Sequence, residues 1–276
     1  MIVPFCKMQG LGNDFVLIDR RGRDVPLDPA VVRRIADRRL GIGCDQVLAL
    51  DAGPGGVLSY RIFNASGEEV EHCGNGVRCV ARYLAFGDGL SAGETVSVLA
   101  GDRKVLLALE ADGRVRVDMG VPEFDPARIP LARPARAERY EFTLPGGRVV
   151  TGGAVSMGNP HLVLEVSDVA TADVAGLGPV LERHPDFPNR VNVGFAQFAA
   201  ADRVRLRVYE RGVGETPACG TGACAAVAVG RAWGRLADRV SVELAGGMLE
   251  VAWGGGDDSL LMTGPAERTF EGRIEL

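Results

Sequence analysis

Two short stretches carry residues able to do acid–base or nucleophilic chemistry. EHCGNGVRC, from Glu71 to Cys79, sets a cysteine in a glycine frame, and PACGTGACA, from Pro217 to Ala225, sets another. Each is followed by a run without breakers, GVRCVARYLAF in the first case and GACAAVAVGRAW in the second. The spacing therefore predicts a thiol at the mouth of a helix. The glycines let the backbone turn sharply and leave the first amide N–H groups uncovered. Those donors, with the positive end of the helix dipole, favour an anion. The anion could be the thiolate itself, whose pKa falls below roughly 8.5 at a helix N-terminus, or a substrate carboxylate. Taken alone, EHCGNGVRC fits half of a metal site, a disulfide loop, a phosphate-binding loop or a nucleophile on a glycine turn. An isolated cysteine there is more often a small core residue.

The two stretches are copies. Cys73 and Cys219 stand 146 positions apart (219 − 73), and the same offset maps Asn13 on Asn159, Gln46 on Asn192, and Arg61-Ile62-Phe63 on Arg207-Val208-Tyr209. Glu69 maps on Glu215. The offset is ungapped from Asn13 to Cys73 and slips to 144 (262 − 118) where Asp118-Met119-Gly120 meets Met262-Thr263-Gly264. A long fixed offset marks duplication of a domain. Among the cysteines only this pair is shared: Cys79 maps on Ala225, Cys6 on Gly152 and Cys44 on Arg190. If the lobes face each other about an approximate two-fold axis, the two sulfurs oppose each other across a cleft. Opposed thiols suit a redox disulfide, or an acid and a base on opposite faces of one carbon.

The elements that must position these thiols follow one grammar in each copy. FVLID and HLVLEV read as buried strands, and SYRIFN and RVRLRVYE alternate as half-buried strands do. A glycine-containing loop and the helix come next. The second helix has no charge between Gly222 and Gly230 and must be buried on all sides. TVSVLA, KVLLALE and RVRVDM, then RVSVEL, MLEVAW and SLLMT, supply further strands. The expected class is α+β: two pseudo-symmetric duplicated lobes, each a curved, mostly antiparallel sheet around a central buried helix. Residues 1–118 with 265–276 form the expected N-terminal lobe and 119–264 the C-terminal lobe, with the active site in the cleft between them. PEFDPARIPLARPARAERYEF, rich in proline and charge, reads as an interlobe connection. The unrepeated tail from Pro265 to Leu276 reads as an added strand or a partner-contacting edge.

Composition narrows the function classes. The 276 residues are 46% hydrophobic and carry a net charge of −5, which gives no electrostatic reason to expect nucleic acid or an anionic membrane as partner. No run reaches the about 18 apolar residues of a membrane-spanning helix. The N-terminus, MIVPFCKMQGLGNDF, lacks the features of a signal peptide, so a cytoplasmic location with reduced thiols is expected. None of the six cysteines forms a Cys-x-x-Cys pair, and the three histidines are not at metal-finger spacing, so no metal site is expected.

GLGNDFVLID, GCDQVL, YRIFNASGEEVEHCGNGVRC, SMGNPH, NVGF and VYERGVGETPACGTGACAAVAVG, in this order, resemble the motifs of the diaminopimelate epimerases over essentially the whole chain. Proline racemases and phenazine-biosynthesis isomerases are similar in fold, but the GLGNDF opening and the ERGVGET segment point to diaminopimelate. The resemblance implies inversion at one α-carbon of L,L-diaminopimelate to give the meso form, without pyridoxal phosphate, metal or other cofactor. It makes Cys73 and Cys219 the catalytic acid–base pair and His161 and Glu210 their polar supports. It assigns Asn13, Gln46, Asn64, Gly74, Asn75, Asn159, Asn192, Glu210, Arg211, Gly220 and Thr221 to substrate binding. Asn13/Asn159 and Gln46/Asn192 recur as mapped pairs. Arg211 maps on Ala65, the asymmetry that binding one distal carboxylate requires; standing alone it would read as a surface ion pair. The resemblance also implies a homodimer. The alternatives are a redox protein cycling a Cys73–Cys219 disulfide, a proline or hydroxyproline racemase-type enzyme of the same fold, and a ligand-binding protein without activity.

Overall fold

The computed structural model describes residues 1–70, 74–101 and 103–276. The chain divides into two compact units, Met1–Asp118 with Thr263–Leu276, and Met119–Met262. The first contains β1 (Ile2–Gly10), β2 (Asn13–Asp19), α1 (Pro29–Ala36), β3 (Gln46–Ala52), β4 (Leu58–Asn64), β5 (Glu69–Val70), α2 (Gly74–Gly87), β6 (Thr95–Ala100), β7 (Arg103–Leu109) and β8 (Val115–Asp118). The second contains β9 (Tyr140–Thr143), β10 (Val149–Ser156), β11 (Pro160–Glu165), α3 (Val174–Glu182), β12 (Asn192–Ala200), β13 (Arg203–Glu210), β14 (Gly214–Thr216), α4 (Gly220–Ala232), β15 (Arg239–Leu244) and β16 (Gly247–Ala252). β17 (Leu261–Gly264) leads back to the first unit, where β18 (Glu267–Glu275) adds to β1 as an antiparallel strand. The unrepeated tail is thus an added strand.

The duplication is written into strand register. In the first unit β2 runs parallel to β3 with Phe15 opposite Gln46, and β3 runs antiparallel to β4 with Val47 opposite Phe63. In the second, β11 and β12 are parallel with His161 opposite Asn192, and β12 and β13 antiparallel with Val193 opposite Tyr209. Each of these residues lies 146 positions from its counterpart. β4 pairs in parallel with β6 (Leu58 opposite Val98), as β13 does with β15 (Val204 opposite Val242). There the first partner keeps the offset of 146 and the second has slipped to 144. From the start of the central helix to the strand that follows it, the second copy is therefore two residues shorter than the first.

Strands that read as continuous apolar runs are covered on both faces. On one face of the first unit Val16, Ile18, Val47, Ala49 and Phe63 pack with Val32 and Ile35 of α1. The alternate residues Phe15, Leu17, Leu48, Leu50 and Ile62 are buried as well, and α2 packs against β1, β2, β7, β8 and β18. α1 starts where Asp28 accepts from the N–H groups of Ala30 and Val31 (2.8 and 3.0 Å), with Pro29 supplying a pre-set first turn. In the second unit α3 covers Leu162, Leu164, Val193 and Phe195 with Val174 and Leu181. α4 is buried at every position from Gly220 to Gly230 and packs against β10 to β13 and β16. No helix among the described residues is long and apolar enough to cross a membrane.

One expectation is corrected. The proline-rich segment after Gly120 is not a bare connection but part of the second unit's core. Ile129, Leu131, Tyr140 and Phe142 are buried in the cluster that α3 covers, and β9 pairs antiparallel with β10. The charges that made the segment look like linker lie over its rings. Arg133 sits 5.6 Å above Phe142 and bonds Asp186 at 2.5 Å, and Arg136 sits 4.8 Å above Phe124. Long arginine stems cover apolar surface while their heads stay polar.

Candidate active site

In the first unit, Asn13, Gln46 and Asn64 converge because three strands end at one edge. Asn13 opens β2, Gln46 opens β3, and Asn64 closes the antiparallel β4 opposite Gln46. Gln46 Nε2 donates to Asn64 Oδ1 at 2.9 Å. Asn13 is delivered by a two-residue hairpin turn in which Leu11 and Gly12 both have positive φ (57° and 83°). Such a turn matches the strand twist, and glycine enters it without strain. Asn13 Nδ2 donates to Asp45 Oδ2 at 3.0 Å and its Oδ1 accepts from Asn75 Nδ2 at 3.4 Å. Asp45 is held by Arg38 (2.8 Å), which also reaches Asp14 (2.7 Å), and Lys7 bonds Asp14 at 2.5 Å. Burial works to raise the Asp14 carboxyl, but hydrogen bonds from Arg38 and Lys7 outweigh it and hold the group well below the usual carboxylate range. Gly74 and Asn75 form the buried first turn of α2. Cys73 and His72 lie outside the described residues.

In the second unit, Cys219 is the N-cap of α4. Its Sγ accepts from the N–H of Gly222 at 3.4 Å and lies 3.5 Å from Thr221 Oγ1. The residue is only 5% exposed and carries a free thiol. Burial pushes that thiol well above its ordinary pKa, the charge of Glu210 adds to the rise, and the Thr221 hydroxyl and Gly222 amide oppose it. Glu210 ends β13, where its charge acts on the thiol, and its Oε1 accepts from the hydroxyl of Thr216 across the β13–β14 hairpin. Burial raises the Glu210 carboxyl, against the pull of the Thr216 hydroxyl. The glutamate and the cysteine thus share a buried site in which the neutral thiol is favoured.

Behind the thiol runs a second chain of contacts. His161 Nε2 donates to Asn159 Oδ1 at 3.0 Å, and Asn159 Nδ2 donates to Thr221 Oγ1 at 3.5 Å. Burial lowers the His161 pKa to about 3, helped by the charge of Arg211, so the ring is neutral at physiological pH. Asn192, opposite His161 in the parallel ladder, donates to Pro160 O at 3.0 Å and accepts from the Arg211 N–H at 2.9 Å. The Arg211 side chain is exposed, and among the described residues its one hydrogen bond is to Asn189 O at 3.2 Å. It makes no ion pair among the described residues, against the reading of a surface pair.

The site residues inferred from sequence therefore form two clusters, one per unit: Asn13, Gln46, Asn64, Gly74 and Asn75, and Asn159, His161, Asn192, Glu210, Arg211, Cys219, Gly220 and Thr221. Sequence reasoning missed Thr216, which fixes Glu210, and Asp45, which fixes Asn13. Thr216 maps on Val70 and so left no signal in the repeat. The aspartate of GCDQVL stood inside a recognised motif without an assigned role.

Residues 5–124 and 153–269 match the family model for diaminopimelate epimerase. A relative from Halorhodospira halophila bearing that name is 54% identical over 274 residues, covering 99% of this chain and 95% of the relative. Another from Alkalilimnicola ehrlichii is 52% identical, covering 100% of both chains. A solved structure of a Bacillus anthracis phenazine biosynthesis protein of the PhzF family superposes with a TM-score of 0.70 at 14% identity, covering 100% of both chains, which shows a shared fold. With matches in both duplicated halves and identity above half over nearly its full length, this chain belongs to the diaminopimelate epimerase family.

Proposed function

We propose that the chain interconverts L,L- and meso-diaminopimelate, using Cys73 and Cys219 as an acid–base pair. The observation that carries this reading is the setting of Cys219: a buried thiol at the mouth of a helix, bonded by the Gly222 amide, with the charge of Glu210 acting on it. Such a group is a proton donor held ready, not a resting nucleophile. The family and the duplication supply its counterpart, Cys73.

The chemical obstacle is the weak acidity of a C–H bond beside a carboxylate. In this scheme Cys73 Sγ, as thiolate, takes the α-proton. The electron pair left on carbon spreads into the α-carboxylate. Cys219 then returns its own proton to the opposite face, which inverts the centre. The cycle ends with a Cys219 thiolate and a Cys73 thiol, and the reverse reaction runs the same steps backwards. Backbone N–H groups at Gly74, Asn75, Gly220 and Thr221 would hold the α-carboxylate at two helix N-termini, where developing charge is stabilised best. Exclusion of water strengthens that stabilisation. Asn13, Gln46, Asn64, Asn159 and Asn192 would orient the substrate's polar groups, with Arg211 as partner of the distal carboxylate. The same reading carries a cytoplasmic homodimer, for which sedimentation velocity is the test.

Incubation with L,L-diaminopimelate under reductant, followed by proton NMR, tests the substrate. Conversion to the meso form is expected. Turnover of proline or hydroxyproline in its place would favour the racemase reading. Activity that requires oxidation of the thiols would favour the redox one.

A further inference from the structure

Among the described residues Arg78 is the largest fully buried side chain, at 0% exposure, and it stands in the second turn of α2. Two general rules oppose that placement. A buried cation is costly unless it is well bonded, and a cation near a helix N-terminus meets the positive end of the dipole. Among the described residues the guanidinium nevertheless bonds three acceptors. Nη1 donates to Gly74 O at 3.2 Å, Nη2 to Asn75 Oδ1 at 2.8 Å, and Nε to Pro265 O at 3.1 Å. The first two acceptors belong to the opening residues of α2 itself. The third lies two residues beyond the point where the chain re-enters this unit.

We propose that Arg78 is a positioning residue for the carboxylate-binding turn of α2. Its planar fork spans the Gly74 carbonyl and the Asn75 amide and so fixes where the N–H groups of that turn point. By claiming Asn75 Oδ1, it also turns the Asn75 amide so that Nδ2 faces Asn13 Oδ1. The line continues from Asn13 to Asp45 and Arg38. A cation at one end and a carboxylate at the other thus set the orientation of both asparagine amides. An anion bound at the turn would offset the cost of the buried charge, which gives the placement a reason that packing does not. The second unit has no such device: the position that maps on Arg78 is Cys224, and its helix mouth carries Glu210 beside the thiol instead. The first lobe is then the one built to hold negative charge, and the second the one built to hold a proton.

This inference rests on the epimerase reading, and the two can fail separately. Arg78→Met, Arg78→Lys and the wild-type protein are assayed together with L,L-diaminopimelate, with circular dichroism confirming folded protein at the assay temperature. Loss of the guanidinium is expected to lower kcat/KM of the folded protein about tenfold, as for one lost charge-assisted contact set, because the turn both binds the α-carboxylate and stabilises its developing charge. The lysine variant keeps the charge but not the fork and should fall between the two. A purely structural role would lower the melting temperature and leave kcat/KM of the folded fraction unchanged. That result overturns the proposal. If Arg78→Met does not fold, Arg78→Lys carries the test alone, because one ammonium cannot span the three acceptors. A wild-type kcat/KM in that variant is the overturning result. A wild-type protein inactive on diaminopimelate would instead remove the epimerase reading.

Discussion

Replacing Arg211 by methionine removes the charge with little change of volume, and the structure isolates what is lost. The side chain is exposed, and among the described residues its one hydrogen bond is to the Asn189 carbonyl. The bond that fixes the backbone there, from the Arg211 N–H to Asn192 Oδ1 at 2.9 Å, does not involve the side chain and survives the substitution. Stability should therefore change by no more than about 0.5 kcal/mol, as for an exposed substitution. Binding is different if Arg211 receives the distal carboxylate. Hydrogen bonds to a charged partner contribute about 1.5–3 kcal/mol, or roughly 10- to 150-fold in affinity. Screening at an exposed site places the loss near the lower end, about tenfold. Initial rates by chiral chromatography over a range of L,L-diaminopimelate should show KM raised by that factor and kcat nearly unchanged. A KM within about twofold of wild type would refute the assignment and reopen the reading with a compact substrate, which has no distal carboxylate to engage Arg211.

Other perturbations separate the proton-donor site, the core and the charge network. Glu210→Gln removes the negative charge that raises the Cys219 thiol, so the alkaline limb of the kcat/KM profile should move to lower pH; an unmoved limb would count against the carboxylate–thiol contact. Gly230→Ala would place a Cβ 2.5 Å from Leu236 Cδ1 and 2.7 Å from Phe198 Cε1, and should destabilise the fold by about 1–3 kcal/mol in urea denaturation while leaving KM unchanged. Asp14 has a folded-state pKa depressed below its unfolded value, so its contribution to stability is present above roughly pH 4 and is lost as pH falls through the folded pKa. Asp14→Asn should accordingly be less stable than wild type near pH 7, with the difference shrinking as pH drops below roughly 4.

Much of this arrangement is legible in the sequence because duplication converts chemistry into register. The 146-residue offset that pairs Phe15 with His161 and Gln46 with Asn192 is the same offset by which β2–β3 and β11–β12 align. The buried helix α4 is equally legible, since an apolar run without charge has only one stable place. What escaped the reading are features that depend on partners distant in sequence. The segment around Ile129 and Phe142 looks like linker until the arginines are seen lying on its aromatic rings. The short helix α3, with two glycines and Pro179 inside, has weak intrinsic preference and forms because Val174 and Leu181 pack on the sheet. Arg78 carries no signal of burial in GVRC, because only the fold reveals that Pro265 brings its carbonyl to the guanidinium.

The most direct test of the central claim is a short incubation of L,L-diaminopimelate with the protein in D₂O, stopped after a few per cent conversion. If Cys73 and Cys219 act as the proposed two-base pair, Cys219 delivers a solvent-derived deuteron on one face while the abstracted proton stays on Cys73 at the other. The account predicts deuterium at the inverted α-carbon of the meso product and protium in the recovered substrate. With Cys219→Ser, where serine still caps α4, conversion to meso product should be lost. Deuterium appearing in substrate as fast as in product, or near-normal conversion by Cys219→Ser, would contradict it.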